Sequence, residues 1–309
     1  MKLRAYFLMT LVVAVWGSTF VVIKSALNDA TPAAFNLIRM TLAFALLGIA
    51  YHSSWRAIRR GYIAAGALVG LCLAAGYQFQ TTGLVRTTPS KSAFITGLVV
   101  VLVPLFSIAP ALRPPGARPP RWNAFTGAAL AFIGIVLITA PPAASATTSP
   151  AAFLPDFSSI NLGDMLTLGC SVAFAFHCIA LGRTSPRIPF QPLAILQVGF
   201  CALFMAASLP LIEHPHIHIT PRLIFALTVA AALATAAAFS IQSWAQSILP
   251  TTPMALILAL EPAFAWITSF LVTGERLGMV SAFGAILILA GIALTELVPQ
   301  PHVPTAHEA

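Results

Sequence analysis

Two ionisable side chains, Arg39 and Glu261, lie inside long apolar stretches of this sequence, and a third, Lys24, lies near the end of another. A charged side chain at the centre of a lipid-embedded helix costs about 2.5–3.5 kcal/mol on insertion scales. Such residues therefore face a polar cavity or one another, where they can bind a solute or carry a proton. The structural alternatives are an Arg39–Glu261 ion pair, a protonated Glu261, and a Lys24 that extends to the membrane surface.

Further polar and aromatic side chains in the same apolar stretches could line a cavity for an amphipathic solute. The candidates are Trp16, Asn36, Gln78, His177, Gln242 and Trp244. The alternative for the polar ones is a hydrogen bond between helices, worth about 0.6 kcal/mol on average. The tryptophans can equally pack against protein or lipid.

Two prolines, Pro104 and Pro262, also lie within apolar stretches. Proline removes a backbone hydrogen bond from a helix, and the freed carbonyl is tolerated in a membrane only against protein or a water-filled cavity. We therefore predict a hinge at each proline, with a static kink as the alternative.

Motifs for other chemistry are missing from the sequence. The four cysteines, Cys72, Cys170, Cys178 and Cys201, have no CxxC or histidine-paired spacing, so neither a disulfide framework nor a metal site is predicted. The sequence contains no Walker A, HExxH or GxSxG pattern. We expect no cofactor and no ATP hydrolysis.

The composition identifies the solvent of these stretches. Hydrophobic residues make up 59% of the 309 residues and charged residues only 8%, whereas soluble domains carry roughly 25% charged residues. The chain is therefore predicted to be an all-α integral membrane protein. Ten spans are expected near 5–26, 31–50, 62–84, 92–112, 121–140, 161–182, 190–212, 222–246, 251–273 and 278–297.

The net charge of +8 follows the positive-inside rule and shows no nucleic-acid motif, so no nucleic-acid partner is expected. With the N-terminus inside, ten basic residues fall on inner segments: Lys2, Arg4, Arg56, Arg59, Arg60, Arg113, Arg118, Arg121, Arg183 and Arg187. Four fall outside: Arg86, Lys91, Arg222 and Arg276. This asymmetry predicts a multi-pass protein of the cell (inner) membrane with both termini in the cytoplasm.

Two stretches of the sequence indicate an internal repeat. Residues 127–134 resemble residues 284–291, and residues 103–106 align with residues 261–264. Two similar halves of five helices each must enter the membrane with opposite orientation, as in many secondary transporters. We predict a first repeat at 1–140, an extracytoplasmic linker at 141–160, a second repeat at 161–297 and a cytoplasmic tail at 298–309.

Four motifs in order resemble the drug/metabolite transporter superfamily, in its ten-helix EamA-like branch. They are residues 16–20 (Trp-Gly-Ser-Thr-Phe), 39–43 (Arg-Met-Thr-Leu-Ala), 92–104, and 260–263 (Leu-Glu-Pro-Ala) with 274–277 (Gly-Glu-Arg-Leu). The second half departs from the pattern, because its first helix lacks the Trp-Gly start and its second helix lacks the arginine.

The resemblance implies two inverted five-helix repeats, termini inside, and alternating access around a central cavity, with export in many members. It carries site roles only to Trp16, Arg39, Pro104, Glu261 and Pro262. We therefore expect a secondary transporter that exports small organic metabolites, amino acids or drugs. Protons are a candidate coupling ion, and the protein is expected to be a monomer or a weak dimer in the lipid bilayer.

Two other classes of protein remain as alternatives. An integral membrane lipid-modifying enzyme would need clustered acids, bases or metal ligands at the membrane boundary, and His177 has no carboxylate near it in sequence. A non-transporting scaffold or receptor would lack a polar cavity.

Overall fold

The computed structural model describes residues 2–113, 121–139, 160–249, 257–258 and 260–297. We number the α-helices of these ranges in chain order. They are α1 (Lys2–Ala26), α2 (Pro32–Ala50), α3 (Arg60–Leu84), α4 (Pro89–Thr96), α5 (Val99–Phe106), α6 (Trp122–Thr139), α7 (Leu162–Thr184), α8 (Phe190–Ile212), α9 (Pro221–Thr228), α10 (Ala238–Gln246), α11 (Glu261–Thr273) and α12 (Met279–Leu297). A 3₁₀-helix, His52–Ala57, precedes α3, and a π-helix, Val229–Ala237, joins α9 to α10.

The helices follow the predicted spans in order. In the part of the chain that the structure describes, seven helical segments are long and apolar enough to cross a membrane, and α6 and α12 contain shorter apolar helices. The predicted ninth span, 251–273, is described as helix from Glu261 onward, and most of its first part lies outside the described residues. The predicted tail and nearly all of the predicted linker also lie outside them. The described helices form the ten-helix membrane fold that the composition predicted.

The fourth span differs from its prediction of 92–112. It begins at Pro89, ends at Phe106 and is interrupted at Gly97 and Leu98, between α4 and α5. Pro89 occupies the first turn of α4, and the side chain of Thr88 accepts a hydrogen bond from the backbone N–H of Lys91. Proline is favoured at the first helical position, because its missing N–H has no partner there. Pro89 therefore starts this helix, three residues before the predicted start of the span.

Helices α6 and α12 contact each other through backbone at two glycines of each. A Cβ on Gly284 would lie 2.6 Å from the carbonyl oxygen of Gly134, and a Cβ on Gly291 would clash with the carbonyl oxygen of Gly127. The earlier glycine of α6 contacts the later glycine of α12, and the later one contacts the earlier, so the two helices are antiparallel. Exchanging the repeat-equivalent positions 127 with 284 and 134 with 291 converts one contact into the other, as two-fold-related halves require.

The connections between helices form two faces. The first, which we call the Asp29 face, contains residues 27–31, 85–91, 160–164, 213–222 and 274–278. An isolated β-bridge joins Ala30 to Ile217 on it. The opposite face, which we call the Arg183 face, contains residues 51–59, 107–113, 183–189 and 247–249. On it, Arg183 donates a 3.4 Å hydrogen bond to the carbonyl oxygen of Arg113. If consecutive helices cross the membrane in alternating directions, the connections of each face lie on the same side of the membrane. The assignment of the Arg183 face to the cytoplasm stays a prediction.

Large apolar side chains are exposed around the outside of the helices. Leu211 is 86% exposed and Phe132 is 68% exposed. Contiguous apolar surface on this scale is not stable in water, and lipid is the solvent that accommodates it.

Replacing Gly284 by alanine should destabilise the protein. The new Cβ would meet the Gly134 carbonyl at 2.6 Å, and the helix backbone must shift. Overpacking of this kind costs about 1–3 kcal/mol, and thermal unfolding in detergent measures it. Gly61→Ala is the matched control, since nothing lies within 4 Å of a Cβ on Gly61. Equal melting temperatures for the two variants would contradict the close contact.

The stability contributed by Asp29 should depend on pH only in acid. The hydrogen bond from Arg222 lowers the pKa of Asp29 from 3.8 to about 2. A carboxyl with a depressed pKa stabilises the fold fully above its unfolded pKa, and this stability is lost as the pH falls through the folded pKa. The melting temperature difference between wild type and Asp29→Asn should therefore be constant above about pH 5 and shrink from about pH 4 towards pH 2. A difference that varies between neutral pH and pH 5 would contradict this assignment.

Candidate functional site

A central cavity lies between the two halves, with about 810 Å³ of free space including the part that opens to solvent. Helices α1 to α5 line it from the first half, and α7, α10 and α11 from the second. The lining contains five of the eight predicted cavity residues. The lining residues are Trp16, Thr19, Phe20, Ile23, Arg39, Tyr77, Gln80, Thr81, Leu84, Thr96, Gly97, Val99, Val100, Phe174, His177, Cys178, Phe239, Gln242, Leu258 and Glu261. The predicted residues Trp16, Arg39, His177, Gln242 and Glu261 thus meet in one place.

Arg39 is 1% exposed and is held by hydrogen bonds from three directions. Its Nε donates to Thr235 Oγ1 at 2.8 Å. Its Nη2 donates to the hydroxyl of Tyr77 at 3.1 Å and to the carbonyl oxygen of Ala234 at 3.4 Å. The guanidinium carbon lies 4.2 Å from the centre of the Tyr77 ring, a cation–π geometry. Nη1 is buried without a hydrogen-bond partner, so this donor is free for a group that enters the cavity.

The π-helix supplies part of this arrangement. Within it, Thr235 Oγ1 donates to the carbonyl oxygen of Ala230 at 2.7 Å. The carbonyl oxygen of Ala234 accepts from Arg39 and also from the indole N–H of Trp16, at 2.8 Å. π-helical turns are rare and are frequent at functional sites. The span predicted at 222–246 is present as Pro221–Gln246. Its middle part, Val229–Ala237, is a π-helix that presents polar atoms to the cavity residues Arg39 and Trp16.

Glu261 begins helix α11 and lines the cavity. Among the described residues the structure has two ion pairs, Lys91 with Asp164 and Arg222 with Asp29, and neither includes Glu261. The Arg39–Glu261 ion pair that the sequence left open is therefore not formed. The start of α11 approaches α1 closely, because a Cβ on Gly17 would lie 2.7 Å from the carbonyl oxygen of Glu261.

Of the two predicted hinge prolines, Pro104 lies in a helix interior as expected and Pro262 does not. Pro262 is in the first turn of α11 and not in a helix interior. Pro104 is inside α5, but the interruption of the fourth span lies earlier, at Gly97 and Leu98. A Cβ on Gly97 would lie 2.9 Å from Pro262 Cγ. The irregular point of the fourth span thus packs directly against the beginning of α11, beside the cavity.

Four aromatic rings form a closed circuit in the cavity lining. Tyr77 lies 5.2 Å from Phe174, Phe174 lies 6.5 Å from His177, His177 lies 5.8 Å from Phe239, and Phe239 lies 6.3 Å from Tyr77, as centroid distances. Each ring is close to perpendicular to the next. Edge-to-face rings pack favourably, so the circuit offers a rigid apolar surface to the body of a solute.

A chain of hydrogen bonds fixes His177. Its Nε2 lies 3.1 Å from Gln197 Oε1, and Gln197 Nε2 donates to Ser243 Oγ at 3.4 Å. Because Gln197 uses its N–H₂ group on Ser243, its oxygen must accept, and His177 Nε2 is the donor. The opposite ring nitrogen is then an acceptor.

Three predicted cavity residues lie outside the cavity lining. Asn36 joins α2 to α3, since its Nδ2 donates to the carbonyl oxygen of Tyr77 at 3.0 Å and to Gln78 Oε1 at 2.8 Å. Its Oδ1 accepts from Thr81 at 3.0 Å. Trp244 packs in the cluster that joins α1 to α10. These residues make the contacts between helices that were the alternative interpretation.

Sequence reasoning missed Tyr77, Thr235 and Phe239 as site residues. Tyr77 lies beside Gln78, which was predicted to line the cavity. The rotation of the helix places Tyr77 in the cavity lining instead of Gln78. Thr235 is one hydroxyl within an alanine-rich run. A hydroxyl in such a run was the sequence feature that could have indicated this residue. Its contact with Arg39 depends on the π-helix, which the sequence did not predict.

Comparison with known proteins places the chain in a class. The sequence model of the EamA-like transporter family matches residues 3–140 and 161–297. The protein is a multi-pass membrane transporter rather than an enzyme. It belongs to the EamA-like transporter family, within the drug/metabolite transporter superfamily.

Relatives and solved structures agree with this membership. An uncharacterized transporter of Archaeoglobus fulgidus is 30% identical over 94% of this chain and 84% of its own length. A second one from the same organism is 24% identical over 96% of this chain and 98% of its own. A crystal structure of a protein with 18% identity superposes with a TM-score of 0.64 and covers 96% of this chain and 98% of its own. At that identity the match shows the fold alone.

Replacing Asn36 by leucine should destabilise the protein far more than replacing Gln242 by leucine. Asn36 makes three hydrogen bonds, two of them buried, and its loss leaves their partners unpaired at about 1–3 kcal/mol. Gln242 is equally buried, but its Oε1 has no partner. Thermal unfolding of the two variants checks this. Equal losses would mean that Gln242 has a structural role.

Proposed function

We propose that this protein is a secondary active transporter that exports small organic metabolites, amino acids or drugs by alternating access. The observation that carries the proposal is the central cavity, which is lined by both halves and contains a buried guanidinium with a free N–H donor. A scaffold has no need of such a cavity, because a buried charge without an anionic partner costs stability.

In this proposal Arg39 binds an anionic group of the solute. Its Nε and Nη2 are already occupied, which fixes the direction of the free Nη1. Charge-assisted hydrogen bonds of this kind are about twice as strong as neutral ones. The four-ring circuit contacts the apolar body of the solute.

Glu261 takes a proton or holds a cationic group of the solute. It lines the same cavity as Arg39 without pairing with it, so its carboxyl is available for either role. If Glu261 binds a proton from one side of the membrane and releases it to the other, transport is coupled to a proton gradient. The halves rock about the cavity, and the contact between Gly97 and Pro262 moves with them. The protein lies in the inner membrane with the Arg183 face in the cytoplasm.

Transport measurements on two variants test these roles. A metabolite screen of a deletion strain, comparing internal and external pools, first identifies the solute. In proteoliposomes, Arg39→Ala should raise KM, and Glu261→Gln should remove the dependence of the rate on a pH gradient. Each loss of a charged interaction should lower kcat/KM roughly ten-fold or more.

Arg59→Ala is the control, because Arg59 is exposed on the Arg183 face. Unchanged rates for both cavity variants would contradict the assigned roles. An Arg39→Lys variant that restores KM would show that charge alone suffices, without the fixed geometry of the guanidinium.

A further inference from the structure

Three polar clusters on the Asp29 face join the first half of the chain to the second. The first is the strongest. Arg222 donates from Nε to Asp29 Oδ2 and from Nη2 to Asp29 Oδ1, each at 2.7 Å. Thr220 donates to the same carboxylate at 2.8 Å, and the backbone N–H of His218 donates to the carbonyl oxygen of Asp29 at 2.7 Å. A bidentate pair with further donors has a defined geometry.

The second cluster centres on Asp164, at the start of α7. Lys91 donates to its Oδ2 at 3.1 Å and Thr87 donates to its Oδ1 at 2.7 Å. Asp164 is 3% exposed, and it also closes a capping box with Asn161. The carboxylate therefore caps its own helix and holds the connection between α3 and α4 of the other half.

The third cluster centres on Glu275, between α11 and α12. Ser90 donates to Glu275 Oε2 at 2.9 Å, and Ser269 donates to the same oxygen. Ser90 lies in the first turn of α4, so this cluster joins the fourth span to the ninth. The interruption of the fourth span at Gly97 also contacts the ninth span, at Pro262 in the first turn of α11.

Each cluster lies just beyond a cavity residue on the same segment of chain. In the first cluster Asp29 follows Ile23, and in the second Thr87 follows Leu84. Ser90 of the third cluster and Lys91 of the second both precede Thr96 by less than two helical turns. The clusters therefore surround the end of the cavity that points to the Asp29 face. Separation of the halves at this face requires that all three clusters open.

We propose that these three clusters are the closed gate of the cavity on the Asp29 face. The structure is then the state in which this face is shut, and a solute crosses the face only after Asp29–Arg222, Lys91–Asp164 and Ser90–Glu275 separate. The proposal rests on the transport function proposed above, to which it adds a gate and its residues.

Cys178 offers a native reporter of the gate, because it lines the cavity and is a free thiol. A membrane-impermeant methanethiosulfonate reagent is applied to one face at a time, in right-side-out and inverted vesicles. The signal is the labelling that Cys178→Ala removes. His214→Cys and Ser53→Cys, at exposed positions of the Asp29 and Arg183 faces, report which face is accessible.

Wild type should be labelled slowly from the Asp29 face. The double variant Arg222→Ala Lys91→Ala should be labelled roughly five-fold faster from that face, since each partly exposed pair contributes modestly to closure. Labelling from the Arg183 face should not increase. The charge-exchanged variant, Asp29→Arg with Arg222→Asp, keeps the pair with its charges reversed. It should be labelled from the Asp29 face at a rate close to that of wild type.

Elution profile and melting temperature show whether each variant is folded. Glu275→Gln and Ser90→Ala are milder variants that test the third cluster if the double variant unfolds. Folded variants with no faster labelling, or with equally faster labelling from both faces, would overturn the gate. The assay needs no solute, so a gate that opens in a protein that moves no metabolite would refute the transport function alone.

Discussion

The burial of peptide groups in hydrocarbon constrains everything else in this molecule. A backbone N–H or C=O without a partner costs several kcal/mol in lipid, and spanning segments are therefore helices. The two described departures from regular helix, at Gly97–Leu98 and at Val229–Ala237, both lie beside the cavity. There the surrounding side chains accept or donate what the helix does not, as Trp16 and Arg39 do at the carbonyl of Ala234. Irregular backbone and polar cavity thus occur together for one physical reason.

The glycine contact of α6 with α12 is symmetric between the two halves, and the site is not. The offset from Pro104 to Pro262 relates Tyr77 to Thr235, and Arg39 donates to the side-chain oxygen of each. The same offset relates Arg39 to Gln197, which instead holds His177. One half therefore contributes a fixed charge and the other an orienting amide. The cavity therefore has two chemically different sides, built on helices that correspond in the two halves.

The sequence was sufficient for the fold because lipid imposes length and apolarity on every span, and these are visible in composition. The sequence was also sufficient to predict that Arg39 and Glu261 line a cavity, because a charge in an apolar run is costly enough to need a partner or a cavity. It did not reveal that Asn36 serves helix contacts while Tyr77 lines the cavity, since that depends on helix rotation. The start of α4 at Pro89 and the π-helix were also missed, because neither changes the apolar pattern.

The paired glycines of α6 and α12 have a consequence for the ancestry of the chain. A contact that maps onto itself when the halves are exchanged is isologous, the kind that two identical subunits make. A single ancestral half could have used this surface to dimerise, with its two copies inserted in opposite directions. In a single chain each half has its own sequence, so Arg39 of one half does not require a second, repelling arginine at the corresponding position of the other.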